Sequence, residues 1–260
     1  MQSLALTAER TAQTGIAIRK PRIGVYEPWG GNMSAGWTRW ILEQYGFDYT
    51  TLRSADFHSP LGAKVDVVLM ADGTRLPTAA AGGPGGGRGG RVVRPEYADT
   101  LSAEDLAAFE AFIRGGGTLV CLNTASAFAI QQFKLPVTNS SAGLRAEEFF
   151  LRGSIVEASI DLSHPIMAGM PEKAAIFADG SPVFDTQEGF TGTALARYAE
   201  TGSPLLSGYL IGEKYLHGKA AALDVPLDSG RIVLLGFRPE WRGQSFGTFR
   251  VLFNAVLNVH

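Results

Sequence analysis

A single cysteine, Cys121, in 260 residues excludes an internal disulfide framework and any zinc site built from several thiolates. Histidine is nearly as scarce. His58, His164, His217 and His260 are the only four, and none has a glutamate three residues on, so a His-x-x-Glu metal motif is absent. No metal site is therefore assigned to this chain. An excess of one charge is also missing: 23 Lys and Arg face 25 Asp and Glu, for a net charge of -2. That balance argues against nucleic acid or an anionic membrane surface as the main partner. No apolar run approaches the roughly 18–20 residues of a membrane span. The N-terminus lacks the basic start and apolar core of a signal peptide. Residues 1–20 are expected to be a tail or linker, and a longer native chain upstream of Met1 is expected.

What is present is ample apolar material. Hydrophobic residues make up 45% of the chain and charged ones 18%, enough for a sizeable core in one large domain. "RIGVY" after Pro21, "DYTTL" and the near-continuous apolar run "DVVLMADG" read as strands. Between the first two, "SAGWTRWILEQYGF" reads as a helix with Ser34 as N-cap, Trp37, Trp40, Ile41 and Tyr45 at helical spacing, and Gly46 as its stop. Ser102 and Asp105 form a capping-box pattern ahead of Leu106, Phe109, Phe112 and Ile113. Gly115 to Gly117 end that helix, "TLVCLN" is a strand, and a further helix starts near Ala125. Such alternation implies parallel strands joined by right-handed crossovers.

The glycine-rich stretch at about 78–92 has no Gly-Lys-Ser/Thr ending and reads as a surface loop, not a phosphate cradle. From about 153 to 225 the runs become short, β-like and punctuated by Gly, Pro and Asp, as in a β-rich insertion. The strand "RIVLLGF" follows, then a last helix with Phe246, Phe249, Phe253, Val256 and Leu257 on one face and Ser245 as its cap. The fold class expected is α/β: a flavodoxin-like three-layer sandwich over 21–260, mainly parallel, with the insertion in its second half.

In such sheets ligands collect beyond the carboxyl ends of the strands. Those ends are Glu27 to Asn32, Asp72-Gly73, Asn123 to Ser126 and Arg238 to Gln244. The candidate ligand-binding set drawn from them is Trp29, Asn123, Thr124, Ser126, Arg238, Glu240, Trp241, Arg242 and Gln244. Arg238 could grip a carboxylate with its planar fork, or pair with Glu240 or another loop acid. Ser126 could be a nucleophile or an early helix residue, and Cys121 a reactive or a buried thiol. Trp37 and Trp40 are expected on the core face of the first helix. His164 in "SHPIMAGMP" is expected in a turn.

Three strand ends resemble class I glutamine amidotransferases. "DVVLMADG" stands where that family has its oxyanion loop, "GGTLVCLNTASAF" where it has its nucleophile elbow, and "GRIVLLGFRPEW" where it has His-Pro-Glu. The elbow is expected at about Ala125. Arg238 replaces the histidine, and a guanidinium cannot take the nucleophile's proton. Of the triad that the resemblance implies only Glu240 remains.

A broader resemblance runs from Lys20 onward. "RIGVYEPWGGNMSAGWTRWILEQYGFDY", "LNTASAFAIQQFKLPV", "HPIMAGMP" and "GFRPEWRGQSFGTFRVLFNAVL" look like the C-terminal, amidotransferase-like region of large bacterial zinc carboxypeptidases. This resemblance implies an accessory or ligand-binding domain with degenerate chemistry. It also implies an upstream peptidase domain as partner, zinc only in that domain, an exported parent protein, and a small anionic or peptide ligand. Two other readings stay open: a hydrolase or amidase built on Ser126 or Cys121, with Glu240 as a candidate catalytic group, and a purely structural assembly domain.

Overall fold

The computed structural model of the protein describes residues 19–78, 97 and 99–258. Most of the expected tail, and all of the expected glycine-rich loop except Thr78, lie outside the described residues.

The first half alternates as its sequence pattern requires. Ile23–Tyr26 forms β1, Met33–Gln44 α1, Tyr49–Leu52 β2, Val67–Met70 β3, Ala103–Arg114 α2, Thr118–Leu122 β4 and Ser126–Gln132 α3. The second half supplies Val137–Asn139 (β5), Phe150–Leu151 (β6), Ser154–Ile160 (β7), Lys173–Ala178 (β8), Phe184–Thr186 (β9), Thr193–Arg197 (β10), Leu205–Ser207 (β11), Leu210–Ile211 (β12) and Ala220–Leu227 (β13). Gly230–Leu235 (β14) and Phe249–Leu257 (α4) close the chain.

β2, β1, β3, β4 and β14 pair in that order, all parallel. This is the 2-1-3-4-5 order of flavodoxin-like sheets, with the switch point between β1 and β3. Side chains alternate across it. Ile23, Val25, Val67, Leu69, Val120, Leu122, Val233 and Leu235 meet Leu42 of α1 and Val251, Leu252, Ala255 and Val256 of α4 on one face. Val68, Met70, Leu119, Cys121, Ile232 and Leu234 meet Phe109 and Ile113 of α2 and Ala129 of α3 on the other. Burial on both faces is why these strands read as unbroken apolar runs.

The β-rich second half does not stand apart from this sheet. β13 returns antiparallel against β14 in full register from Ala222–Leu235 to Leu227–Gly230, and β10, β7, β11 and β8 continue outward from it. β9 and β5 hang from β13, giving twelve strands in one sheet among the described residues, while β12 and β6 form a separate ribbon. The insertion is thus an antiparallel extension, and the parallel part is its five-stranded α/β half.

Three local expectations need correction. Asn32, not Ser34, caps α1, its Oδ1 accepting from the Ala35 N–H at 2.8 Å. The face that α1 buries carries Ala35, Thr38, Ile41 and Leu42, and Trp40 is 44% exposed. The tryptophans flank the helix instead, meeting edge to face at 5.5 Å beside the turn at Gly243. A small core-facing stripe lets α1 lie close to the strands, and an indole there would hold it off. In the last segment a 3₁₀ turn at Phe246–Thr248 precedes α4, Phe246 is 71% exposed, and no Ser245 side-chain cap forms. The Thr248 hydroxyl does the anchoring, donating to the Pro239 carbonyl at 2.8 Å. The capping box on α2 forms as its sequence requires: Asp105 N–H donates to the Ser102 hydroxyl, and Ser102 N–H to the Asp105 carboxylate.

Candidate functional site

Each parallel strand delivers its next residues to one edge of the sheet. β3 delivers Asp72, β4 delivers Asn123 and Thr124, and β14 delivers Arg238, and these four form one hydrogen-bonded group with Asp72 at its centre. Asp72 is only 5% exposed. Its Oδ1 accepts from Asn123 Nδ2 at 3.0 Å, from Thr124 N–H at 3.1 Å and from the Thr124 hydroxyl at 2.5 Å. Its Oδ2 lies 2.7 Å from Arg238, whose guanidinium also reaches Asp179 at 3.3 Å. A buried carboxylate is tolerable only when paired and bonded in this way.

Asn123 sits directly after β4 with φ +50°, a left-handed conformation that asparagine tolerates better than most residues. The sharp strand-to-helix turn is therefore at Asn123, not at about Ala125. Its amide donates to Asp72 and to the Asp179 carbonyl, and an amide is not a nucleophile. The neighbouring hydroxyl is also committed: Thr124 donates to Asp72 and accepts from the Gly73 N–H at 3.0 Å. The resemblance to amidotransferases sets the Gly73 N–H in the stretch of the oxyanion loop, whose donors serve a reacting carbonyl. Here that donor points to Thr124.

Arg238 pairs with Asp72 and Asp179, not with Glu240. Its guanidinium also lies 4.5 Å from the centre of the Trp241 ring, which stacks on Phe177 at 5.1 Å. Asp72, Asp179 and Trp241 hold the guanidinium, while its buried Nε has no hydrogen-bonding partner among the described residues. Glu240, 2% exposed, sits behind this pair. Burial is the main cause that lifts its pKa from 4.5 to about 7. Its own backbone N–H works against the shift, Asp72 adds to it, and Arg238 and the Thr38 hydroxyl oppose it. Glu240 Oε2 has no hydrogen-bonding partner among the described residues.

The other expected site residues scatter. Ser126 opens α3 fully buried, and its hydroxyl has no partner among the described residues. Cys121 is fully buried inside β4, where burial pushes its thiol pKa up, away from the reactive thiolate. Trp29 belongs to a separate cluster: it lies under the Arg53 guanidinium at 4.6 Å and beside Tyr97 at 4.9 Å. That cluster centres on buried Glu27, held by Arg39 at 2.8 Å and Arg53 at 3.2 Å. Arg242 lies 4.7 Å from the Trp241 ring centre on the exposed side of the loop, and Gln244 is exposed. No described histidine enters the site: His58 faces Asp99 and Asp105, His164 faces Asp224, and His217 meets the Gly202 carbonyl. Among the described residues no group of three His, Cys, Asp or Glu is placed to hold a metal ion, and no helix is long and apolar enough to cross a membrane.

Asp72, Asp179 and Thr38 were not in the sequence-derived set. Asp72 carried a usable signal, an acid at the end of a fully apolar strand just before glycine. Asp179 and Thr38 carried none, because only the folded sheet brings them to this edge.

No protein-family model matches the chain, and no curated protein sequence matches it. Solved structures do. A GMP synthase-like protein from Thermoplasma acidophilum superposes with a TM-score of 0.54 at 13% identity, over 90% of this chain and 92% of that one. A cytoplasmic protein from Salmonella typhimurium gives 0.55 at 11% identity, over 92% and 98%. A β-galactosidase from Bacillus circulans gives 0.51 at 10% identity, over 91% of this chain but 30% of the enzyme. The shared feature is the fold: a mixed α/β domain found both alone and within a larger chain.

Proposed function

We propose that this chain is a catalytically degenerate domain of the class I glutamine amidotransferase type, serving as a ligand-binding or accessory domain of an exported zinc carboxypeptidase. One observation carries the degenerate reading: Arg238, Asp72, Thr124 and Gly73 bond to one another in series across the strand ends. Acyl transfer at such an edge needs a nucleophile, a base and free oxyanion donors. The turn offers an asparagine, the base position an arginine, and the oxyanion position an N–H already bonded. The likeness to the GMP synthase-like protein supports the fold type. The carboxypeptidase setting is supported by the sequence stretches quoted above, among them "HPIMAGMP" and "GFRPEWRGQSFGTFRVLFNAVL".

The purified protein is expected to release no ammonia from glutamine and to hydrolyse no simple ester above the buffer rate. Turnover that disappears in Ser126→Ala would overturn the reading in favour of a hydrolase. For the setting, the reading frame upstream of Met1 is expected to encode a peptidase with a His-x-x-Glu motif and a distant histidine. A frame that starts at Met1 would remove the tethered partner.

A further inference from the structure

Beside the locked edge lies a cavity of about 900 Å³. One wall is the segment after β3, which carries Arg75. The other is Thr124 with the outer side of α3 and the turn that follows it, presenting Phe128, Gln131, Gln132 and Lys134. No aspartate or glutamate is among the described lining residues, so these walls combine two cations, amides, hydroxyls and one aromatic ring.

The two cations differ from Arg39, Arg53 and Arg238 near these strand ends and resemble Arg242, which among the described residues meets only the Trp241 ring. Arg39 and Arg53 both pair with the single carboxylate of Glu27, and Arg238 pairs with Asp72 and Asp179. Arg75 and Lys134 are exposed, and among the described residues neither is paired with a carboxylate. They come from separate segments of the lining, Arg75 from the residues after β3 and Lys134 from the turn after α3. Lys134 is also held at φ +50° just past the end of α3, a place where glycine is the ordinary occupant. α3 has seven residues, so it sets a wall roughly 10 Å long between the Thr124 end and the Lys134 end. Positive charge carried on two separate segments of one cleft suits a ligand with negative charge at more than one point. Phe128 and the glutamines suit the carbon skeleton and amides between those points.

We infer that this cleft binds an elongated ligand bearing two or more carboxylates, recognised by Arg75 and Lys134. The inference rests on the ligand-binding reading above. It gives that reading a site apart from Arg238, which is already engaged. Thr124 links the two regions, since it lines the cleft and holds Asp72.

Titration calorimetry of the whole chain at low salt, with three probes, tests it. Triglutamate is expected to bind saturably at one site. Triglutamine, of the same length without the side-chain charges, is expected to bind at least roughly tenfold more weakly, as is compact citrate. Arg75→Gln and Lys134→Gln are each expected to weaken triglutamate by roughly tenfold, the loss of one charge-assisted contact. Both side chains are exposed, and circular dichroism checks that the variants fold. Equal affinity for triglutamate and triglutamine, citrate binding as tightly as triglutamate, or triglutamate affinity unchanged in both variants would overturn the assignment. Turnover plays no part in this measurement. A hydrolytic chain would sink the degenerate reading and leave the binding result standing, and a silent titration would sink only the cleft.

Discussion

Arg238→Met is expected to destabilise the protein by about 3 kcal/mol, more than any other single change at the strand ends. The substitution leaves the Asp72 carboxylate buried without its counter-charge. Breaking one side of a buried pair costs about 3–5 kcal/mol in general. The lower end applies here, because Asn123 and Thr124 keep three neutral donors on Asp72. Losing the guanidinium from the face of Trp241 adds a smaller penalty. For a chain of this size the melting temperature is expected to fall by roughly 6–12 °C. Asp72→Asn combined with Arg238→Met is expected to cost less than the two single changes added together, since neither partner is then left charged and alone. A single Arg238→Met change that stays within about 0.5 kcal/mol of the parent, the range of ordinary surface substitutions, would show that the pair is not what holds this edge.

The second large effect is on pH dependence. The Glu240 pKa rises on folding from 4.5 to about 7, with burial as the leading cause. Below the unfolded value both states hold the proton, so Glu240 imposes no penalty. As the pH rises from about 4.5 through about 7 the unfolded state gives up the proton while the fold still holds it, so stability is progressively lost, and the loss is complete once the buried carboxyl ionises. At roughly 1.4 kcal/mol per tenfold, the difference amounts to about 3 kcal/mol. Glu240→Gln keeps the shape and removes the titration. The variant is therefore expected to exceed the parent at pH 8 by up to about 3 kcal/mol, with the gap narrowing towards pH 4.5. Urea denaturation of both proteins at several pH values gives the comparison, and contributions from other groups cancel between them. A gap that does not change with pH would mean that Glu240 is ionised in the fold throughout.

Much of the architecture was legible because both faces of the parallel strands are covered. Val67–Met70 and Thr118–Leu122 are buried at every position, and such runs announce themselves without periodicity. The capping box at Ser102 was equally plain, since its two partners lie three residues apart. Positions set by a single backbone angle were not. The elbow was expected near Ala125 because the helical pattern begins there, whereas the left-handed residue is Asn123, and one positive φ leaves no periodic trace. The misplaced tryptophans of α1 have a related cause. Spacing put Trp37 and Trp40 on one stripe, but the sheet takes the stripe of small and aliphatic residues. The candidate site was legible as a set of strand ends and illegible as a network. Arg238 was recognised as the odd residue of "GFRPEW", and its partners Asp72 and Asp179 come from the loop after β3 and the far end of β8.

The central claim is that no activated nucleophile stands at this edge. Covalent labelling reads that property whatever the substrate. Folded protein treated with a fluorophosphonate and, separately, with iodoacetamide should show no modification by mass spectrometry at Ser126, Thr124 or Cys121, while denatured protein takes iodoacetamide at Cys121. Stoichiometric labelling of Ser126 or Cys121 in the folded state would contradict the account.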